Sequence, residues 1–194
     1  VTTVLDAERR EMNKKISEFT GQLEPGDTAM VFYAGHGVEI DGENYLLPTD
    51  IAAPASGEKD FIKSESIALS SLLDRIRATG ARTTLAIIDA CRDNPFKGSS
   101  GRSIGGTRGL GRINAPEGTF VIFSAGAGQT ALDRLSDEDS AKNSVFTRML
   151  LPRLQTPGIE LREMMSKAGF TNIRERKSPM PVLVRVLTGN KTNA

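Results

Sequence analysis

A short apolar run that stops on reactive chemistry constrains this chain more than any other feature. Thr84-Leu85-Ala86-Ile87-Ile88 is too short for a helix and rich in β-branched residues, the pattern of a strand buried on both faces of a parallel sheet. It ends at Asp89-Ala90-Cys91-Arg92, which puts the only cysteine of the chain just beyond the carboxyl end of a central strand. In open α/β sheets that edge is where ligands bind. A second stretch has the same grammar: Ala29-Met30-Val31-Phe32-Tyr33-Ala34 reads as a buried strand, and Gly35-His36-Gly37 follows with the only histidine. If the two strands are parallel neighbours, Cys91 and His36 emerge side by side.

The flanking segments supply the rest of such a sheet. Val1–Leu5 reads as a strand, and Asp6 is the expected N-cap of a helix to about Thr20, with Met12, Ile16 and Phe19 on one face and Gly21 at its end. Val38-Glu39-Ile40 and Glu43–Leu47 flank Asp41-Gly42, the dipeptide best suited to a tight hairpin turn. Pro48 to Lys63 reads as irregular, and Ser70 or Ser71 as the cap of a helix through Leu72, Leu73 and Ile76 that ends at Gly80. Lys97 to Gly118 is dense in Gly and Ser and is expected to be a long mobile loop. Beyond it come a strand at Thr119–Ala125, helices at about Ser144–Leu154 and Ile159–Arg176, and a last strand at Val182–Leu187. Alternating strands and helices predict a mainly parallel sheet covered on both faces.

Composition narrows the chemistry. With 194 residues the chain is long enough for one domain with a full core, and its 38% hydrophobic residues plus 19 glycines approach the ~45–50% usual for globular proteins. A net charge of +1 provides no global field for nucleic acid or anionic lipid. One cysteine excludes an internal disulfide framework, and with one histidine it cannot complete a four-ligand structural zinc site. No cofactor and no metal are expected. No signal peptide or long apolar segment is visible, but Val1-Thr2-Thr3-Val4-Leu5 looks like the middle of a strand, so the natural N-terminus is expected upstream. The compartment stays open, with the cytoplasm carried as the expectation; the oligomeric state is equally open.

Cysteine attacks carbonyls as the thiolate, and a free thiol of pKa ~8.5 needs a neighbouring base or cation to ionise near neutrality. His36 can act as that base and later protonate the leaving amine. Gly37 lets its backbone N–H approach a carbonyl oxygen, and with the N–H of Cys91 it can form an oxyanion hole; Gly35 leaves room on the other side. A lone cysteine or a lone histidine is more often a packing residue. That each is the sole member of its type and follows a buried strand favours the dyad.

These residues carry a resemblance. Val31-Phe32-Tyr33-Ala34-Gly35-His36-Gly37, Asp41-Gly42-Glu43-Asn44-Tyr45-Leu46-Leu47-Pro48-Thr49-Asp50 and Ile87-Ile88-Asp89-Ala90-Cys91-Arg92 resemble the caspase-like peptidases, specifically their bacterial, metacaspase-related branch. Phe123-Ser124-Ala125-Gly126 through Gln129-Thr130-Ala131 extends the similarity. It covers nearly the whole chain, apart from an N-terminal strand and helix with which the family begins and which are expected to be missing here. The resemblance implies an α/β caspase–hemoglobinase fold, with 1–96 as the large-subunit-like part carrying His36 and Cys91, 97–118 as a flexible linker and 119–194 as the small-subunit-like part. It implies a cysteine endopeptidase acting on protein or peptide substrates.

The resemblance also gives Asp89 a role. Metacaspases and paracaspases place an aspartate two residues before the cysteine and cut after Arg or Lys, and a carboxylate at a pocket floor can pair bidentately with a guanidinium. The plainer alternative for Asp89 is an N-terminal cap for the following turn. Ser124 and Asp133 are implied as further substrate-binding residues. Metacaspases carry an acidic residue just before their Gln-Thr pair, but Ala127 and Gly128 stand there in this chain, so the pocket is expected to be shallower or completed by Asp133. Cys91-Arg92-Asp93-Asn94-Pro95-Phe96-Lys97 departs from the pattern of calcium-activated metacaspases, so calcium dependence is not implied; Asp50 and the 137–139 acidic loop are read as solvated charges rather than a cation site. Arg102, Arg108 and Arg112 in the linker are candidate self-cleavage points.

Two rival readings come from other classes. A caspase-like scaffold without strong catalysis would position partners through the 97–118 loop, and reactivity of Cys91 toward a basic-residue electrophile discriminates it. A nucleotide-binding domain ranks low, because the glycines at Gly105–Gly111 do not fall in Gly-x-Gly-x-x-Gly order between a strand and a helix.

Overall fold

The computed structural model describes residues 1–52, 58–91, 117–124, 135–136, 138–161, 163–164 and 185–188, with the backbone alone at 91 and 185–188. In chain order the elements are β1 (Thr2–Thr3), α1 (Arg9–Thr20), β2 (Thr28–Ile40), β3 (Glu43–Leu46), α2 (Lys59–Glu65), β4 (Ile67–Ala68), α3 (Leu69–Ala78), β5 (Thr83–Cys91), β6 (Thr119–Phe123), α4 (Val145–Leu154) and β7 (Arg185–Thr188). Five strands run parallel in the order β1-β7-β2-β5-β6, and beyond them β2 continues into an antiparallel extension with β3 and β4. This is the mainly parallel sheet that the sequence predicts, and β6 joins it directly beside β5. The linker expected at 97–118 falls outside the described residues except for its last two positions, as does most of the helix expected over 159–176.

Period-two alternation divides the strands between two cores. Ala29, Val31 and Tyr33 of β2 and Ala86, Ile88 and Ala90 of β5 face one side, against Ile16 and Phe19 of α1 and Leu69, Leu72, Leu73 and Ile76 of α3. Met30 and Phe32, Leu85 and Ile87, and Phe120 and Ile122 of β6 face the other, against Phe146 and Leu150 of α4 and Met164. A third cluster joins Val38, Ile40 and Leu47 of the hairpin region to Ile62 of α2. The helix-covered faces explain why β2 and β5 are apolar at consecutive positions.

Several local expectations are corrected. Asp6 does not cap α1: it sits in a turn at φ +49°, Glu8 occupies the N-cap position without a side-chain bond, and the Arg9 N–H is instead satisfied by Asp50 Oδ1 at 2.9 Å. Neither Ser70 nor Ser71 caps α3, which starts after Ala68; the Ser70 N–H donates to Glu43 Oε1 at 3.3 Å. Part of the stretch read as irregular is helical, because α2 buries Ile62 under the hairpin. The hairpin itself is as expected: Asp41 and Gly42 have φ of +53° and +84°, the two positive values of a type I′ turn, and Gly42 carries the larger one at no steric cost. From α2, Lys59 and Lys63 bond the Asp41 carboxylate at 3.0 and 2.8 Å and hold it below the usual carboxylate range.

The approach to α4 is fixed by a bidentate ion pair. Arg148 donates to Asp139 at 3.0 and 2.6 Å, and Asp139 also accepts from the N–H groups of Leu135 and Ala141. The guanidinium first, and those backbone donors second, lower the Asp139 carboxyl to about 2 from an ordinary 3.8. A carboxyl depressed in the folded state contributes stability above its unfolded pKa, and that stability is lost as pH falls through the folded value. Asp139→Asn is therefore expected to flatten the acid limb of the stability profile between about pH 4 and pH 2, measured as urea midpoints across that range. An unchanged limb would show that the pair adds nothing to the fold.

Candidate active site

The β2–β5 ladder decides what meets at the sheet's edge. It runs in unbroken parallel register from Thr28↔Thr83 to Ala34↔Asp89, Gly35↔Ala90 and His36↔Cys91. The two residue types singled out in the sequence therefore sit opposite one another on adjacent strands, whose spacing is about 4.8 Å. His36 is exposed. It does not follow the strand, as the sequence suggested, but lies within it: β2 continues through Gly35 and Gly37 into the hairpin. Cys91 likewise is the last residue of β5.

Rows across the α4 face show how the edge is layered. Met30, Leu85 and Phe120 form one apolar row and Phe32, Ile87 and Ile122 the next. The following row is Ala34, Asp89 and Ser124, because the Ser124 N–H donates to Ile88 O at 3.0 Å and extends the β5–β6 ladder by one residue. Asp89 thus has a small neighbour on each side, and the row beyond it holds the register positions of His36 and Cys91.

Asp89 is 1% exposed. Its Oδ2 accepts the hydroxyl of Thr147 at 2.7 Å and the hydroxyl of Ser144 in a very short bond. Ser144 is the N-cap of α4, its Oγ in turn accepting from the Thr147 N–H at 3.1 Å. Asp89 thus meets the N-terminus of α4, whereas the turn after Cys91, which the capping alternative for Asp89 concerned, lies outside the described residues. Asp89 Oδ1 is buried with no hydrogen-bond partner among the described residues, and so is Ser124 Oγ. Orphaned buried oxygens are rare in folded proteins and mark places where a further donor is accommodated.

On the opposite face Tyr33 fixes the backbone of His36. Its hydroxyl lies 2.7 Å from His36 O and 3.0 Å from Leu47 O, bridging the strand to the segment after the hairpin. Burial raises the phenol above its ordinary range, so it remains a donor. Gly35 is demanded by this arrangement: a Cβ there would meet Tyr33 Oη at 2.5 Å and Cζ at 2.7 Å. The sequence reading gave Gly35 the job of clearing space beside the substrate; the space it clears is for Tyr33. The Leu47 N–H donates to His36 O at 3.0 Å, which makes Gly37↔Leu46 a non-hydrogen-bonded pair and turns the Gly37 N–H away from β3, toward β5.

The remaining expectations divide simply. Asp133, Arg102, Arg108 and Arg112 lie outside the described residues, as does Asp137. Asp50 and Asp139, read as solvated charges, are instead engaged by the N-terminus of α1 and by Arg148. Sequence reasoning missed Tyr33, Ser144 and Thr147. Tyr33 carries no signal beyond an apolar strand position, and the two hydroxyls meet Asp89 only across 55 and 58 residues of sequence.

The caspase domain model matches residues 1–191, and the chain belongs to the caspase-like peptidase family. It is 29% identical over 79 residues to a probable protease of a Desulfuromonadales bacterium, a match covering 39% of this chain and 9% of that protein. It is 26% identical over 92 residues to the human mucosa-associated lymphoid tissue lymphoma translocation protein 1, covering 47% of this chain and 10% of that protein. The mouse homolog of the human protein matches over the same length at the same identity. The matched segments thus make up about a tenth of each relative.

The geometry around Tyr33 gives a direct test. Tyr33→Phe removes the hydroxyl beside the buried Leu47 O, while His36 O keeps its bond from the Leu47 N–H, and is expected to cost about 1–3 kcal/mol. Gly35→Ala is expected to cost more, and Tyr33→Phe should not rescue it, because the ring carbon as well as the oxygen stands in the way. Urea unfolding of the two single variants and the double variant decides this; rescue by Phe would place the clash at the hydroxyl alone.

Proposed function

We propose that this chain is a cysteine endopeptidase that uses Cys91 as nucleophile and His36 as general base and acid, and cleaves after Arg or Lys. The observation that carries the reading is the register pair His36↔Cys91 at the end of two adjacent parallel strands in a chain of the caspase-like family. The thiolate attacks the scissile carbonyl carbon, and the oxyanion that forms is met by the N–H groups of Gly37 and Cys91. Collapse of that intermediate breaks the C–N bond as His36 protonates the leaving amine. Water, deprotonated by His36, then hydrolyses the thioester and restores the thiol.

Selectivity for a basic side chain rests on Asp89, one row in from the dyad positions. Its buried Oδ1, without a partner among the described residues, supports this reading, as do the small side chains of Ala34 and Ser124 on either side. Ser124 Oγ offers a second acceptor in the same row. Asp133 would complete the pocket from the segment that follows β6. Self-processing after Arg102, Arg108 or Arg112 belongs to the same reading, since those residues are of the type such a pocket accepts.

Cys91→Ala and His36→Ala are each expected to lower peptide turnover by orders of magnitude, and the double variant little further, because the two act as a unit. Near wild-type cleavage by Cys91→Ala would end the proposal. Asp89→Asn keeps an oxygen that can accept from Ser144 and Thr147, so the fold should survive. It should lose arginyl and lysyl substrates by about 2–5 kcal/mol in kcat/KM, measured against a panel differing only in the residue before the scissile bond. Preference for aspartyl over arginyl peptides would overturn the pocket. For self-processing, mass spectrometry of incubated protein should find new termini after the linker arginines that are absent from Cys91→Ala.

A further inference from the structure

Asp89 is held in a manner that bears on how a substrate's charge can be read. An ionised carboxylate offers two oxygens with about four acceptor sites between them. Both sites on Oδ2 are taken, by the Thr147 hydroxyl at 2.7 Å and by the Ser144 hydroxyl. Neither donor is free to leave. Thr147 is 7% exposed on the first turn of α4, between the buried anchors Phe146 and Leu150, and Ser144 is locked by its own capping bond from the Thr147 N–H. The Arg148–Asp139 pair fixes the chain that leads into this turn. What is left of the carboxylate is Oδ1, buried and without a partner among the described residues.

We infer that Ser144 and Thr147 are positioning residues for substrate selection: they bind Oδ2 to the N-terminus of α4 and reserve Oδ1 alone for the substrate cation. This rests on the reading of Asp89 as the pocket's acidic residue. It differs from the two-oxygen pairing that the sequence suggested, and it carries a distinct consequence. A fork-to-fork pair favours Arg, whose planar guanidinium can bond both oxygens at once, over Lys, which acts as a point donor. A single presented carboxylate oxygen, with the neutral Ser124 hydroxyl beside it in the row, removes most of that advantage, so the pocket accepts Lys alongside Arg. The hydroxyls act before the substrate arrives, by fixing the carboxylate's rotamer.

The experiment compares matched arginyl, lysyl and neutral peptides on the wild type and on two variants of the whole chain. Thr147→Val keeps shape and removes the donor; Thr147→Ser restores it. For the wild type the ratio of kcat/KM for Arg to Lys is expected to stay within about tenfold. Thr147→Val is expected to raise KM for both basic peptides by about tenfold with kcat little changed, and Thr147→Ser to recover most of the loss. A merely structural role would lower the fraction of active enzyme, and therefore the apparent kcat, with KM unmoved. Basic peptides cleaved by Thr147→Val with wild-type KM would overturn the inference while leaving the wider reading intact. So would a wild-type Arg-to-Lys ratio above about a hundredfold, a result that requires no folded variant. A wild type that cleaves neutral peptides but no basic ones overturns this inference and the reading of Asp89 together.

Discussion

The structure depends on the register between β2 and β5. Side chains alternate with a period of two, so a slip of one residue would exchange the two cores and also part His36 from Cys91. What prevents the slip is apolar. Ala29, Val31 and Tyr33 fit the face covered by α1 and α3, while Met30 and Phe32 fit the face covered by α4, and the same division recurs along β5. Packing in the middle of the sheet thus sets the alignment of polar groups at its end, with no direct bond between those groups required.

A second regularity is the use of distant carboxylates where helices lack caps of their own. α1 and α3 begin without a side-chain cap from their N-cap residues, and one N–H of each is met by Asp50 and by Glu43 respectively, from the region of the hairpin. Each bond satisfies orphan donors and draws negative charge to the positive end of a helix. α4 has its own serine cap and yet contacts a carboxylate too, through hydroxyls rather than N–H groups. The hairpin is therefore more than a decoration beside His36: Glu43 ties it to α3 and Asp41 ties it to α2.

How much of this was legible follows from the range of each interaction. The β2 and β5 strands and the Asp41-Gly42 turn were readable because apolar runs and a turn dipeptide are local signals. The continuation of β2 through Gly35-His36-Gly37 was not, since flanking glycines read as the end of a strand; Gly35 is there for the ring of Tyr33, a contact visible only in three dimensions. α2 escaped because a seven-residue helix burying Ile62 has little periodicity to detect. Asp6 and the serines near α3 have the right chemistry for capping, but a positive φ at Asp6 and the competing carboxylates Asp50 and Glu43 took those duties elsewhere. At the site, the pairing of His36 with Cys91 was inferred from strand ends alone, while the hydroxyl pair on Asp89 joins residues too far apart in sequence for any pattern to link.

The span of the β2–β5 ladder governs when the site comes into being. Each of its pairs closes a loop of more than fifty residues. Within that loop the hairpin and α3 rest on near neighbours and can form early, but closing the loop itself costs chain entropy that only the completed sheet repays. A nascent or half-folded chain therefore contains the residues of the edge without their juxtaposition. Assembly of the edge thus coincides with completion of the sheet.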